Sequence, residues 1–367
     1  MIDRYIDRLL LDSSPQRPLW NQEMIIGNKK PHWNYIDGCM MTAFLTLYEK
    51  SFDKKYLDFV DNFIDYFIED NGSIKSFDIE TYNLDNINEG RALYKLHDYT
   101  GKKKYRKAIE NLYIQLQLQP RTKEGNFWHK GIYPNQIWLD GLYMAQPFYL
   151  EYEKRFNNKK NYIDILNQIK NVVKLMKNKE TGLYYHAYDS SRDSSWSNEE
   201  TGLSQNYWLR AEGWFLMALV DILEIVEDKK EELYSFVSKT LLDLIEALIK
   251  YQDISGMWFQ VVDKIDEPRN YLETSGSSII SYAILKAVRL GIISKEFKPF
   301  GEKAFNGICN KYLFERDGEM NLGGICLVAG LGGKDNRDGS FDYYMSEPVV
   351  ENEAKGIAPF LLAYLQE

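Results

Sequence analysis

Six times along this chain a polar residue is followed at once by glycine where an apolar helical stretch begins: Asp37-Gly38, Glu89-Gly90, Asp140-Gly141, Glu212-Gly213, Ser275-Gly276 and Lys355-Gly356. A glycine inside a helix costs about 1 kcal/mol relative to alanine, so its return at one point of a repeat implies that backbones approach closely there. Helical periodicity pairs each stretch with a second one. The expected hairpins are 37–49 with 54–69, 88–99 with 102–117, 140–155 with 159–177, 207–226 with 229–251, and 275–290 with 295–312. The stretch 353–366 lacks a following partner and takes the amphipathic N-terminal stretch 2–11 instead.

The connections are lopsided. Turns within a pair are short, at Ser51–Lys55, Thr100–Lys104, Asn157–Lys160 and Glu227–Lys230. Connections between pairs are long, at Glu69–Ile87, Pro120–Trp138, Asn178–Gln205, Asp253–Glu273 and Glu315–Glu351. If helices alternate outer and inner around a ring, every long loop gathers at the N-terminal ends of the inner helices, and loops of that length in a compact domain usually carry function. The predicted fold is therefore all-α, a six-hairpin (α/α)6 barrel forming one domain over residues 1–367, with long loops and short β-hairpins over one face. Strand-like alternation at Gly182–Tyr188 and Gly256–Val262 predicts two of those hairpins.

Composition narrows the partners. A net charge of -9 with no basic block argues against a nucleic-acid groove or an anionic membrane surface. The N-terminus carries charges throughout and is read as neither signal peptide nor membrane anchor. Three scattered cysteines, Cys39, Cys309 and Cys326, fit neither a disulfide framework nor a metal site and suit a reducing cytosol. No metal and no cofactor are expected. Gly330-Leu-Gly-Gly333 lacks the Lys-Ser/Thr and the strand-to-helix setting of a phosphate loop. With 27 Tyr and 8 Trp the chain has more rings than helix packing needs, and many are expected to face a ligand.

The densest run of aromatics and amides, Asn126 to Tyr143, leads into a helix start at Asp140. There the helix dipole favours the carboxylate, while Trp138 and Tyr143 desolvate it and favour the acid. A carboxyl group balanced in this way can serve as a general acid near neutral pH; the alternative is a helix cap with no chemical role. Asp85 precedes an inner helix one repeat earlier, and two carboxylates at one mouth suit acid/base chemistry on a sugar; the alternative is a simple Asp-Asn turn. His129 and His186 lie in long loops beside aromatics, whereas His97 inside a helix is read as structural. In Asn206 to Trp214, Arg210 can hold a ligand carboxylate while Trp208 and Trp214 stack on a sugar ring. The alternative there is Arg210 paired with Glu212 or with a loop acid beside core tryptophans.

These residues resemble glycoside hydrolase family 105, the unsaturated rhamnogalacturonyl hydrolases, over nearly the whole chain. The matching stretches are 33–40, 82–88, 128–130 with 136–144, 206–214, 273–277 and 344–352. The resemblance implies a cytoplasmic glycoside hydrolase that removes a 4,5-unsaturated uronic acid from the non-reducing end of pectic oligosaccharides left by a lyase. It assigns Asp140 as general acid/base, Asp85 as second essential carboxylate, and His129, His186, Trp138, Trp208, Arg210 and Trp214 as substrate-binding residues. Its rivals are an unsaturated glucuronyl hydrolase of the related family 88 and a non-catalytic carbohydrate-binding toroid. The expected partner is a small oligosaccharide, with no nucleic acid and no membrane.

Overall fold

The computed structural model describes residues 1–226, 228–333 and 337–366. Its twelve main helices are α1 (Ile2–Leu11), α2 (Tyr35–Ser51), α3 (Lys54–Asp65), α4 (Arg91–Thr100), α5 (Lys103–Leu118), α6 (Leu139–Phe156), α7 (Tyr162–Met176), α8 (Leu209–Ile225), α9 (Glu232–Ile249), α10 (Thr274–Arg289), α11 (Lys298–Tyr312) and α12 (Ala354–Tyr364). The even-numbered helices form the inner ring. Each packs against the next, from α2 to α4 and on to α12, which returns to α2 and closes the circle. The fold is an (α/α)6 barrel. Inner helices α8, α10 and α12 are buried almost all round, as befits helices covered on every side, whereas outer helices such as α3 bury a single face.

The repeated glycine has its physical reason at the inner contacts. A Cβ on Gly38 would stand 2.5 Å from Cα of Glu89, the residue at the equivalent point of the next hairpin. One on Gly276 would meet Leu209 at 2.4 Å. A methyl group at either place would push neighbouring inner helices apart.

The N-terminal helix α1 takes the outer place beside α12 through its surroundings. Tyr5 donates to Asn352 just ahead of α12 (2.7 Å), and Arg8 donates to the Asn321 side chain (2.9 Å). Glu227, first residue of the turn expected at Glu227–Lys230, lies outside the described residues.

The strands depart from expectation. Of 182–188, only the end belongs to a strand, β2 (Ala187–Asp189), which pairs antiparallel with β1 (Gln136–Trp138) from the preceding long loop. Gly256–Val262 forms no strand; it makes single bridges, Trp208 with Val261 and Phe259 with Leu272. The true hairpin is β3 (Leu313–Arg316) with β4 (Glu319–Leu322), and β5 (Ile325–Cys326) pairs with β6 (Val349–Val350). Alternation is a local signal, while loop-to-loop pairing is decided by which loops the barrel brings side by side. Among the described residues no helix is long and apolar enough to cross a membrane.

Candidate active site

The long loops meet over the N-terminal ends of the inner helices and enclose a cleft of about 220 Å³. Asp140 and Asp85 both line it, together with His129 and Trp138.

Asp140 is the second residue of α6; Trp138, in extended conformation, holds the capping position. Asp140 is therefore not the cap. Of the six polar residues ahead of the repeated glycines, Asp37, Glu89, Glu212, Ser275 and Lys355 are buried. Glu89 accepts from the backbone N–H of Asn34 (2.7 Å) and Glu212 from that of Tyr184 (2.6 Å), so these two brace the loops. Asp140 alone among the six lines the cleft.

His186 stands behind Asp140. Its Nε2 lies 3.3 Å from Asp140 Oδ2, and its Nδ1 lies 2.7 Å from the Tyr344 hydroxyl. With Tyr344 donating to Nδ1, a neutral ring carries its hydrogen on Nε2, facing Asp140. The backbone fixes this alignment, because Leu139 N–H donates to the His186 carbonyl (3.1 Å). Burial pushes the Asp140 carboxyl up, but His186 favours the anion, and the net direction is down. That corrects the expectation of an acid poised near neutral pH: with no substrate bound, Asp140 is a carboxylate.

Asp85 begins the short helix Asp85–Asn88, where the Asn83 side chain accepts from its N–H (3.1 Å). Its place in the repeat is not that of Asp140, which Glu89 occupies; the pre-helical turn carries it to the cleft. Lys130 Nζ sits 2.6 Å from Asp85 Oδ2, and His129 Nε2 3.7 Å from Oδ1. Burial alone would lower the Lys130 ammonium, but Asp85 outweighs it and the group is raised. His129 goes the other way, pushed by burial to about 4, so it is neutral at neutral pH. Its ring lies flat on Trp138 (4.6 Å, 17°), which lies flat on Tyr133 (4.9 Å, 21°). This three-ring stack forms one wall.

Four expected substrate-binding residues do not line the cleft, the first being His186, which is fully buried behind Asp140. Trp208 is buried behind His186 (ring centroids 4.7 Å apart). Trp214 is buried flat on Tyr143 (4.8 Å, 11°), with Tyr35 at its edge. Arg210 is buried, its Nη1 donating to Ser275 Oγ (3.1 Å) and to the Cys326 carbonyl (2.5 Å), and its guanidinium rests 4.8 Å from the Trp208 ring. The expected alternative partner Glu212 is turned to Tyr184 instead.

Sequence reading missed Glu23, Tyr35, Lys130, Tyr133, Met144 and Arg337, all of which line the cleft. Lys130 follows His129 directly, and Met144 lies one helical turn after Asp140, so adjacency and i,i+4 spacing could have found them. Glu23 comes from a five-residue helix, too short to give a periodic signal, and Arg337 from a loop. Among the described residues no cluster of His, Cys, Asp and Glu has metal-binding geometry.

The family model for Glycosyl Hydrolase Family 88 matches residues 14–367. A family 105 glycoside hydrolase of C. acetobutylicum ATCC 824 superposes with a TM-score of 0.90 at 46% identity, covering 99% of both chains. Protein Atu3128 of Agrobacterium fabrum is 37% identical over 230 residues, 61% of this chain and 97% of its own. The unsaturated rhamnogalacturonyl hydrolase YesR of Bacillus subtilis is 27% identical over 264 residues, 70% of this chain and 72% of its own. A family model that matches residues 14–367 and a relative matched from end to end show that this chain is a glycoside hydrolase covered by the family 88 model and belongs to the related family 105.

Proposed function

We propose that this enzyme removes a 4,5-unsaturated uronic acid, most simply unsaturated galacturonate, from the non-reducing end of lyase-generated rhamnogalacturonan oligosaccharides. The observation that carries the reading is the pairing of Asp140, backed by His186, with Asp85, held by Lys130, across one cleft walled by stacked rings. The likeness to YesR supports the pectic substrate.

The reaction is hydration of an enol ether. The substrate brings its own carboxylate into a water-poor cleft, and both the added negative charge and the lost water raise the Asp140 carboxyl, so the bound complex holds it protonated. Asp140 gives that proton to C4. Positive charge then develops at C5, shared with the ring oxygen, and the regenerated Asp140 carboxylate and Asp85 stabilise it. Water adds at C5 and loses its proton to Asp140, which restores the acid. The resulting hemiketal opens and releases the rest of the sugar chain. Lys130 and Arg337 are the cleft's positive charges for the uronate. With Cys39 and Cys326 as buried free thiols, we assign the enzyme to the cytoplasm.

The test is turnover of matched unsaturated disaccharides in D₂O, followed by loss of the conjugated ultraviolet absorbance and by NMR. The expected result is faster turnover of the rhamnogalacturonan product, with deuterium at C4. Faster turnover of glucuronyl disaccharides would transfer the assignment to the glucuronyl hydrolase activity, and no turnover of any unsaturated uronide would overturn it.

A further inference from the structure

One wall of the cleft comes from the segment ahead of the barrel. The short helix Gln22–Ile26 is capped by Asn21, whose side chain accepts from Met24 N–H (3.0 Å). The N–H of Gln22 donates to Glu353 Oε2 at the start of α12 (2.9 Å). This double fastening places Glu23 at the cleft.

Behind Glu23 lies a fully buried ammonium. Lys355 Nζ is 2.7 Å from Glu23 Oε1 and 2.9 Å from Glu353 Oε1, and Lys355 and Glu353 are both 0% exposed. Of the two carboxyls, burial raises that of Glu353. Glu353 is sealed in, so the carboxylate of this group that faces the cleft is Glu23, whose side chain keeps 23% of its surface. Lys29, 3.6 Å from the other Glu23 oxygen, is 52% exposed, and a solvated surface pair of that kind cancels little of the charge. The Lys355 pair also holds the Glu23 carboxyl down to about 2, ionised at any working pH. The cleft therefore holds three carboxylates, Glu23, Asp85 and Asp140, against two cations, Lys130 and Arg337. Lys130 is already engaged by Asp85. The substrate adds a further negative charge with its uronate group.

We propose that Glu23 is a specificity-determining residue: its carboxylate accepts a hydrogen bond from a free hydroxyl of the bound sugar and turns away substrates that carry a sulfate ester at that position. This rests on the unsaturated uronyl hydrolase reading above. A carboxylate backed by a buried cation is a fixed acceptor, and a hydroxyl supplies the donor it lacks. A sulfate ester has no donor and brings a like charge into a site that is already net negative. Rejection of the charged analogue is thus built into the wall.

The experiment compares wild type, Glu23→Gln and Glu23→Asp on pairs of unsaturated uronyl disaccharides that differ by one sulfate ester, with melting temperature measured on the same preparations. Glu23→Gln keeps the volume and removes the charge. It should raise kcat/KM on one sulfated substrate by at least about tenfold, and raise KM on the unsulfated partner by about tenfold. Glu23→Asp keeps the charge but draws it back by a methylene; it should still reject sulfate while its KM for the unsulfated substrate rises. Unchanged selectivity in Glu23→Gln overturns the proposal. If that variant does not fold, an unchanged KM in Glu23→Asp overturns it as well. A purely structural role would lower the melting temperature and leave selectivity where it was. Failure of the wild type on every unsaturated uronide is a different result, which defeats the parent reading of the reaction rather than the role of Glu23.

Discussion

Asp140 and His129 sit on one wall of the same cleft, yet burial acts on them with opposite results. Asp140 has a partner for its anion and is held down, whereas His129, stacked on Trp138, has no partner strong enough to keep its cation. Two tests follow. Asp140→Asn fills the same space and cannot donate a proton, so turnover should fall by about 10² to 10⁴ or more with binding and folding retained; retention of more than a tenth of the activity would remove Asp140 from the chemistry. For His129 the sign of the pH effect follows from its two states. The unfolded side chain takes up a proton near its ordinary value of 6.5, and the folded one only near 4. Between those values the unfolded state holds more protons, so stability falls as pH drops from 6.5 to 4, by roughly 3 kcal/mol for this group. Urea midpoints of wild type and His129→Gln at pH 7 and pH 4.5 should differ in their change with pH, with the flatter response in the variant. At this scale the sequence was informative wherever a residue sat on a periodic element or beside one that did. Asp140 is of that kind, while His129 stood out by the aromatic run around it and its neighbour Lys130 was missed. Arg337 reaches the cleft from a loop and Glu23 from a five-residue helix, and nothing in local pattern says where so short a segment ends up. Arg210 shows the converse: its helix position was legible, but its commitment to Ser275 and the Cys326 carbonyl was not.

At the scale of elements, the repeated polar-glycine pair is a packing device into which one reactive group has been set. Gly38 fits against the Glu89 backbone because it has no side chain. Gly38→Ala should therefore cost about 1 to 3 kcal/mol, the usual penalty for overpacking, read as a lower urea midpoint with an unchanged slope. The polar partner is free to vary because each loop asks something different of it: Asp37 accepts from the Trp20 indole (2.8 Å), Glu89 and Glu212 accept from backbone N–H groups, and Asp140 faces the cleft. That is why the repeat was visible in sequence while the roles of its members were not. Helices were legible for the same reason, since 3.6-residue periodicity and a short turn are properties of contiguous residues. The ribbon of β1 and β2 joins Trp138 to Ala187 across two separate loops, and no window of sequence contains both. This ribbon aligns the two halves of the site, because it carries Trp138 and Asp140 on one side and His186 on the other.

At the scale of the molecule, the barrel has two ends with different work. The mouth collects the loops and the chemistry. Within the ring lies a buried ionic cluster that ties together inner helices distant in sequence: Asp221 of α8 receives Arg91 of α4 (2.6 Å) and Lys286 of α10 (2.6 Å), with the Tyr282 hydroxyl donating to the same carboxylate (3.0 Å). Burial would raise the Asp221 carboxyl, but Lys286 and then Arg91 hold it down to about 2. A carboxyl lowered in the fold contributes stability above its unfolded value of 3.8, and that contribution is lost as pH falls through about 2. Asp221→Asn removes the shared anion, leaving the part-buried Arg91 without its carboxylate and the buried Lys286 with Glu224 alone (2.7 Å); breaking a buried pair usually costs about 3 to 5 kcal/mol. None of the cluster lines the catalytic cleft. The expected outcome is a large fall in urea midpoint and melting temperature, a weaker loss of stability between pH 4 and pH 2, and nearly unchanged kcat and KM for the enzyme that stays folded. A matching loss of kcat at temperatures where the variant is fully folded would show instead that the inner ring transmits strain to Asp140, and that the cluster sets the geometry of the mouth as well as holding the barrel closed.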